Sequence, residues 1–169
     1  ILDLTGADTD LSALTLTLTS VEVIQMDHAT ADILEASVLS GKTITVKGDG
    51  TVTDLLGATE TTASQTIDMS NVVIDNTLST GLGGLAITTA NGTNTVTGTS
   101  ANDTITGGKG DDIFRFDTTH AAGLATGDIL AGGGGTDTVA VTLTAASMTA
   151  VANTNGMSRI EKITFTGSG

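Results

Sequence analysis

Cysteine, proline, tryptophan and tyrosine are all missing from this 169-residue chain, and phenylalanine occurs three times. Without cysteine no disulfide can brace the fold, so a small exported domain of this composition needs another cross-link. With so few aromatics the core has to be built from valine, isoleucine, leucine and alanine in thin repeated layers, a demand that suits a solenoid better than a globular enzyme. The same scarcity leaves the surface few of the Trp and Tyr anchors that dominate protein–protein contacts. Positive charge is also sparse: six Lys and Arg stand against nineteen Asp and Glu, a net charge of −13. That balance argues against a nucleic-acid partner, which needs a basic patch or an aromatic stacking platform. No apolar run approaches the length of a membrane span, and no Lys- or Arg-led apolar signal opens the chain. Ile1 stands where an initiator Met would, so the chain is expected to be a fragment or a processed part of something longer.

What the chain has in abundance is threonine, 35 residues, and glycine, 22 residues. Threonine and valine favour strands, and an apolar content of 38% with a mean hydropathy of +0.24 argues against disorder. Alternating or apolar segments predict strands at Leu14–Thr19, Val21–Met26, Thr43–Val46, Thr51–Thr53, Thr66–Met69, Val72–Ile74 and Ala86–Thr88. Two short helices are expected as side decorations. One covers Thr30–Leu39 with Gly41 as its stop, and the other covers Ala145–Ala152 behind Thr144 as N-cap. The phrase Val21-Glu-Val-Ile-Gln-Met26 is echoed by Ile160-Glu-Lys-Ile-Thr-Phe165, as in an elongated repetitive body.

Two segments stand out. Gly107-Gly-Lys-Gly-Asp-Asp-Ile-Phe114 and Gly132-Gly-Gly-Gly-Thr-Asp-Thr-Val139 both fill G-G-x-G-x-D-x-U, where U is a large apolar residue. Glycines let the backbone turn its carbonyl oxygens toward one point, and the Asp adds a charged oxygen; together these make a hard-cation site. The apolar residue two places later starts a strand and points into the core. In steps of nine, the first segment continues backwards through Asp103 with Ile105 and Asn94 with Val96. Nine residues thus make one turn and strand, and eighteen a full coil, with Asn94 and Asp112 stacked on one side and Asp103 on the other. A weaker repeat puts Asp128 and Leu130 nine before Asp137 and Val139. Asp112 and Asp128 are sixteen apart, which breaks the phase. Residues 115–122 therefore read as an insertion between two short clamps, Asn94–Asp103–Asp112 and Asp128–Asp137.

This pattern resembles the RTX (repeats-in-toxin) family of calcium-dependent bacterial exoproteins exported by a type I pathway. The resemblance covers about residues 89–140. It implies an all-β parallel β-roll or β-solenoid with Ca²⁺ as cofactor. The implied ligands are the side chains of Asn94, Asp103, Asp112, Asp128 and Asp137, with the turn glycines Gly107, Gly108, Gly110, Gly132, Gly133 and Gly135 and carbonyls such as those of Gly108 and Gly110. The domain division expected is a Thr-rich β-module over 1–88, the calcium roll over 89–140, and a trailing helix and strand over 141–169.

Net charge is concentrated away from the repeats: −10 over residues 1–90, −4 over 91–140 and +1 over 141–169. An acidic, soluble surface accounts for this. The sharper alternative is extra calcium sites, for which Asp8 and Asp10, Asp27 and Asp32, and Asp49 and Asp54 are the closest pairs.

Catalysis finds little footing. Ala36-Ser-Val-Leu-Ser-Gly-Lys-Thr43 approaches a phosphate-loop pattern, but the expected helix precedes the turn and a strand follows, the reverse of what anion binding at a helix N-terminus requires. His28 and His120 lack a His-Glu-x-x-His frame, and no Gly-x-Ser-x-Gly elbow occurs. The expected role is that of a noncatalytic, secreted structural segment. It folds when it meets extracellular calcium and self-assembles into a bacterial S-layer or filament. A repeat of a large adhesin, or the noncatalytic tail of an exported hydrolase or toxin, are the alternatives. Any contact with cell-surface polysaccharide is expected to fall to parts outside this chain.

Overall fold

The computed structural model describes residues 1–4, 10–11, 17–26, 31–47, 55–75, 84–116, 127–143 and 156–167. Every paired strand among them is parallel, in three sheets. The long sheet holds β3 (Ala31–Glu35), β5 (Leu55–Thr59), β8 (Leu85–Thr88), β10 (Thr104–Thr106), β12 (Ile129–Ala131) and β14 (Met157–Ser158), stacked in that order. A second sheet stacks β6 (Thr66–Asp68), β9 (Thr95–Thr97), β11 (Ile113–Phe116), β13 (Thr138–Leu143) and β15 (Lys162–Gly167). The third, nearer the N-terminus, runs β1 (Leu2–Leu4), β2 (Val23–Met26), β4 (Ile44–Lys47) and β7 (Val72–Asp75). From β8 onward the chain alternates between the long and second sheets. This is the parallel β-roll the repeats predict.

Each coil lays one apolar residue on the last, so the core is a set of columns. In the long sheet Leu34, Ala58, Ile87, Ile105, Leu130 and Met157 are in register. Opposite them stand Ile67, Val96, Phe114, Val139 and Ile163. Val96, Ile105, Phe114, Leu130 and Val139, the apolar partners read from the nonapeptides, are all fully buried. Burying one such side chain contributes roughly 1.5–3 kcal/mol, and the regular stack lets a nearly aromatic-free chain collect that gain at every coil.

Below β8 the coil is wider. One turn of the chain passes through β5, β6 and β7, and so contributes a strand to all three sheets. The coil beneath carries the four-residue helix α1 (Ala36–Leu39) between β3 and β4. The helix expected over Thr30–Leu39 is thus mostly strand: Ala31–Glu35 pairs residue for residue with Leu55–Thr59, and backbone pairing overrides local propensity. Gly41 does follow the helix, at φ 69°. Past the helix, Ser40 and Gly41 bond the free edge of β6: Ser40 Oγ accepts from Asp68 N–H at 2.9 Å, and Gly41 N–H donates to Asp68 O at 2.7 Å. That contact closes an edge that would otherwise invite another chain.

The expected strands over 21–26, 43–46, 66–69, 72–74 and 86–88 coincide in large part with β2, β4, β6, β7 and β8. Of the expected Leu14–Thr19 strand, Thr17, Leu18 and Thr19 form no strand and pair with no neighbouring one, so alternation there is not matched by a partner; residues 14–16, the Thr51–Thr53 strand, the Ala145–Ala152 helix, His28 and His120 lie outside the described residues. The two echoed phrases form β2 and β15, which belong to different sheets.

Candidate metal centre

Both edges of the roll carry a ladder of acidic turns. On one, each side-chain oxygen reaches back to the amide one coil earlier. Asn94 Oδ1 accepts from Gln65 N–H at 3.0 Å, Asp112 Oδ1 from Asn94 N–H at 2.8 Å, Asp137 Oδ1 from Asp112 N–H at 2.8 Å, and Glu161 Oε2 from Asp137 N–H at 2.8 Å. On the other edge Asp103 Oδ1 accepts from Leu85 N–H at 2.8 Å and Asp128 Oδ1 from Asp103 N–H at 2.7 Å. Asn94 and Asp112 stack on one side with Asp103 opposite, at the eighteen-residue period read from the sequence. The two sequence-local clamps do not stand apart. Asp137 stacks on Asp112 and Asp128 on Asp103, both across 25 residues, because the extra residues between β11 and β12 restore the register. Arg115 and Phe116, assigned to the insertion, belong to β11, where Phe116 is buried.

The glycines shape the space these oxygens enclose. Gly107 and Gly132 lie against the carboxylates of their own turns, where a methyl group would strike Asp112 Oδ2 and Asp137 Oδ2 respectively. Gly110, Gly133 and Gly135 hold φ of 125°, 100° and 138°, a region that L side chains rarely enter. Successive turns are laced together: Gly134 N–H donates to Gly108 O at 3.0 Å, and Gly110 N–H to Gly134 O at 2.5 Å. A carbonyl has two lone pairs, so Gly108 O keeps one for a second partner.

One oxygen of each ladder carboxylate is thereby occupied, and the other is the informative one. Asp128 Oδ2 and Asp137 Oδ2 are buried with no hydrogen-bond partner. A desolvated carboxylate oxygen facing no donor is costly unless it is protonated or meets a cation. Burial pushes Asp128 up to about 7, with the neighbouring Asp103 charge adding to the rise and the bond from Asp103 N–H opposing it. Asp137 is likewise raised, chiefly by burial, with the charges of Asp112, Glu161 and Asp111 adding. Asp112 is better supplied: Oδ1 also accepts from Asn94 Nδ2 at 2.9 Å, and Oδ2 from Gly108 N–H at 3.2 Å. Asp103 accepts from Thr99 N–H at 2.6 Å and from the Thr99 hydroxyl at 2.9 Å.

Among the described residues no three His, Cys, Asp or Glu side chains converge on one point. A site here therefore draws most of its oxygens from the backbone and one or two carboxylates, a donor set that suits Ca²⁺ and its irregular oxygen shell. The buried lone oxygens of Asp128 and Asp137 and the glycine-lined space beside Asp137 fit that ion. Glu161 and Gln65 close the ladder at its two ends, although neither belongs to a nonapeptide. Glu161 left a trace in the echoed Glu phrase; Gln65 left none. Of the acidic pairs considered for extra sites, the side chains of Asp8, Asp27, Asp32, Asp49 and Asp54 lie outside the described residues.

A family model for the RTX calcium-binding nonapeptide repeat matches residues 88–118 and 122–140, four copies in all. No curated protein and no solved structure matches the chain. Repeats of this family bind Ca²⁺, are generally structural and noncatalytic, and are typical of secreted extracellular proteins. No helix among the described residues is long and apolar enough to cross a membrane.

Proposed function

We propose that this chain is a segment of a secreted, noncatalytic structural protein that folds on calcium outside the cell and assembles into a bacterial surface layer or extracellular filament. The observation that carries the assembly reading is an uncovered apolar layer on β15. Val96, Phe114 and Val139 are fully buried, but Ile163, the next residue in their column, is 38% exposed. Phe116 and Val141 are buried in the neighbouring column, and Phe165 above them is 57% exposed. Uncovered Ile163 and Phe165 offer an apolar docking layer for another β-coil, a continuation of this chain or a second copy, with the outer edge of β15 as a hydrogen-bonding template, and the assembly reading takes the second copy. Residues 1–88, 89–140 and 141–169 act as one rod in this reading, because the long sheet passes from β3 in the first to β14 in the third.

Calcium supplies the positive charge that the stacked Asp side chains lack. The chain's own residues do the rest. Asp103, Asp112, Asp128 and Asp137 each tie a carboxylate to the amide one coil earlier, so charge neutralisation and coil stacking are one event. Without the ion, carboxylate repulsion and the ordering entropy of the glycine turns oppose folding. Electron microscopy of purified material with calcium and with chelator tests the proposal. Ordered sheets or fibres with calcium, lost with chelator and in Phe165→Asp, support it. Isolated rods favour an adhesin repeat, and compact monomers with hydrolytic activity favour an exoenzyme tail; either outcome overturns the lattice reading.

A further inference from the structure

The turn beneath the calcium repeats has the same six-residue length and the same place in the roll. Its first residue is fixed by a series of bonds: Glu60 N–H donates to Thr88 O, Thr89 N–H to Thr106 O, Gly107 N–H to Ala131 O, and Gly132 N–H to Ser158 O, at 2.7–3.0 Å. Glu60, Thr89, Gly107 and Gly132 therefore form one column, with Glu60 at the first-glycine position. Its sixth residues, Gln65, Asn94, Asp112 and Asp137, form the ladder already described. Descending the roll, the carboxylate disappears from the sixth position at Asn94 and Gln65. At the lowest of these turns, Glu60 places one at the first position.

Glu60 does not stand alone. Glu35, at the end of β3 one coil lower, reaches the same turn, its carboxylate held by Thr61, the residue after Glu60. Each group has one oxygen anchored by the turn: Glu35 Oε1 accepts from Thr61 N–H and the Thr61 hydroxyl, and Glu60 Oε1 from Thr62 N–H, each at 2.8 Å. The remaining oxygens, Glu35 Oε2 and Glu60 Oε2, are buried with no donor. Directly above Glu60 in the column, Thr89 is 5% exposed, and its hydroxyl too is buried without a partner. Glu60 itself is 2% exposed. Two orphaned carboxylate oxygens and an orphaned hydroxyl, from three successive coils at one end of the turn column, make a buried, donor-poor and acidic spot whose cost a cation would relieve.

We infer that Glu35, Glu60 and Thr89 hold a calcium ion at the base of the roll, outside the nonapeptide repeats. A single proton shared by the two carboxyl groups could bridge that pair, and burial does raise Glu60, with Glu35 adding to the rise. It does not by itself engage the Thr89 hydroxyl, which makes no hydrogen bond. A hard divalent cation engages all three oxygens, and nearby turn carbonyls can complete its shell. The site would tie the wide N-terminal coils to the roll, extending calcium control of folding below residue 88.

Equilibrium dialysis with ⁴⁵Ca²⁺ on the full chain near pH 8, with circular dichroism as a check on folding, tests this. Glu60→Gln is expected to bind one ion fewer than the parent chain while keeping the ions of the nonapeptide ladders. Thr89→Val is expected to keep the count and weaken one site by roughly tenfold. Asp137→Asn should show the reverse pattern, losing ladder calcium while retaining the Glu60-dependent ion, so that failure of the ladder reading and of this one are separable. An unchanged calcium count and affinity in Glu60→Gln overturns the proposal. Should Glu60→Gln not fold, infrared spectra of the parent chain decide. A protonated carboxyl band that persists in saturating calcium, and is absent from Glu35→Gln, means a shared proton and overturns the ion; loss of that band on adding calcium supports it.

Discussion

Replacing Asp112 with Asn separates the metal-binding role of a ladder carboxylate from its role as a hydrogen-bond acceptor. Asp112 is fully buried and accepts three bonds: from Asn94 N–H and Asn94 Nδ2 on Oδ1, and from Gly108 N–H on Oδ2. Asn keeps the shape and the Oδ1 acceptor but turns an NH₂ group toward Gly108 N–H, leaving one half-buried amide unsatisfied at a cost of about 1–3 kcal/mol at most. Asp112→Ala strips both backbone amides of their acceptor, for about 2–6 kcal/mol on the same scale. These costs apply with or without calcium. With calcium at a hundred times its Kd, the parent gains about 2.7 kcal/mol per site, and either variant forfeits that gain at the sites its carboxylate serves. For a chain of this size 1 kcal/mol shifts Tm by about 2–4 °C. The calcium-induced rise in Tm should therefore shrink by about 5–11 °C in Asp112→Asn, beyond the drop measured in chelator. Calorimetric melts of the parent and both variants, with saturating calcium and with chelator, provide the numbers. If Asp112→Asn lowers Tm equally in the two conditions, Asp112 is a structural acceptor and its assignment as a ligand is wrong.

The raised Asp128 and Asp137 predict an unusual pH response in chelator. Because their folded values lie above the ordinary carboxylate range, the folded state holds more protons than the unfolded chain between about pH 4 and pH 7, so stability falls as pH rises through that window. Melting temperature in chelator should peak on the acid side and decline toward pH 8. Saturating calcium should flatten the decline, as should Asp128→Asn; a Tm that rises across the window in chelator contradicts the assignment. Phe114→Ala, in a fully buried column between Val96 and Val139, should cost about 3–5 kcal/mol in both conditions while leaving the number of bound ions in the folded fraction unchanged, measurable by denaturant titration and dialysis.

Much of the roll is legible in the spacing of a few residues. A nine-residue step between Asn94, Asp103 and Asp112, with Val96, Ile105 and Phe114 two places behind, specifies short strands, alternating turns and the inward face, since a strand's side chains alternate with period two. The next layer is not legible in the same way. Asp112 and Asp128 look out of phase along the chain, yet coils of 25 residues bring Asp137 onto Asp112 and Asp128 onto Asp103. A loop can absorb any number of residues if its ends meet the same two strand positions, and nothing in its local sequence states where those ends go. Ala31–Glu35 shows the same limit: its residues favour a helix, but backbone pairing with β5 makes it a strand.

The amino-acid sequence by itself determined the local chemistry: turns whose glycines permit the required backbone and whose Asp supplies charge, apolar positions at period two, and an acid balance with no disulfide to substitute for metal. Only the tertiary structure decided which turns are neighbours. It placed Glu161 and Gln65 at the ends of a ladder, brought Glu35 and Glu60 from different coils to one turn with Thr89 above, and left Ile163 and Phe165 of β15 uncovered. The physical reason is that a parallel coil pairs residues 18 to 29 positions apart, so the partners of a side chain are set by how each coil closes, while its capacity to bind is set by its own atoms.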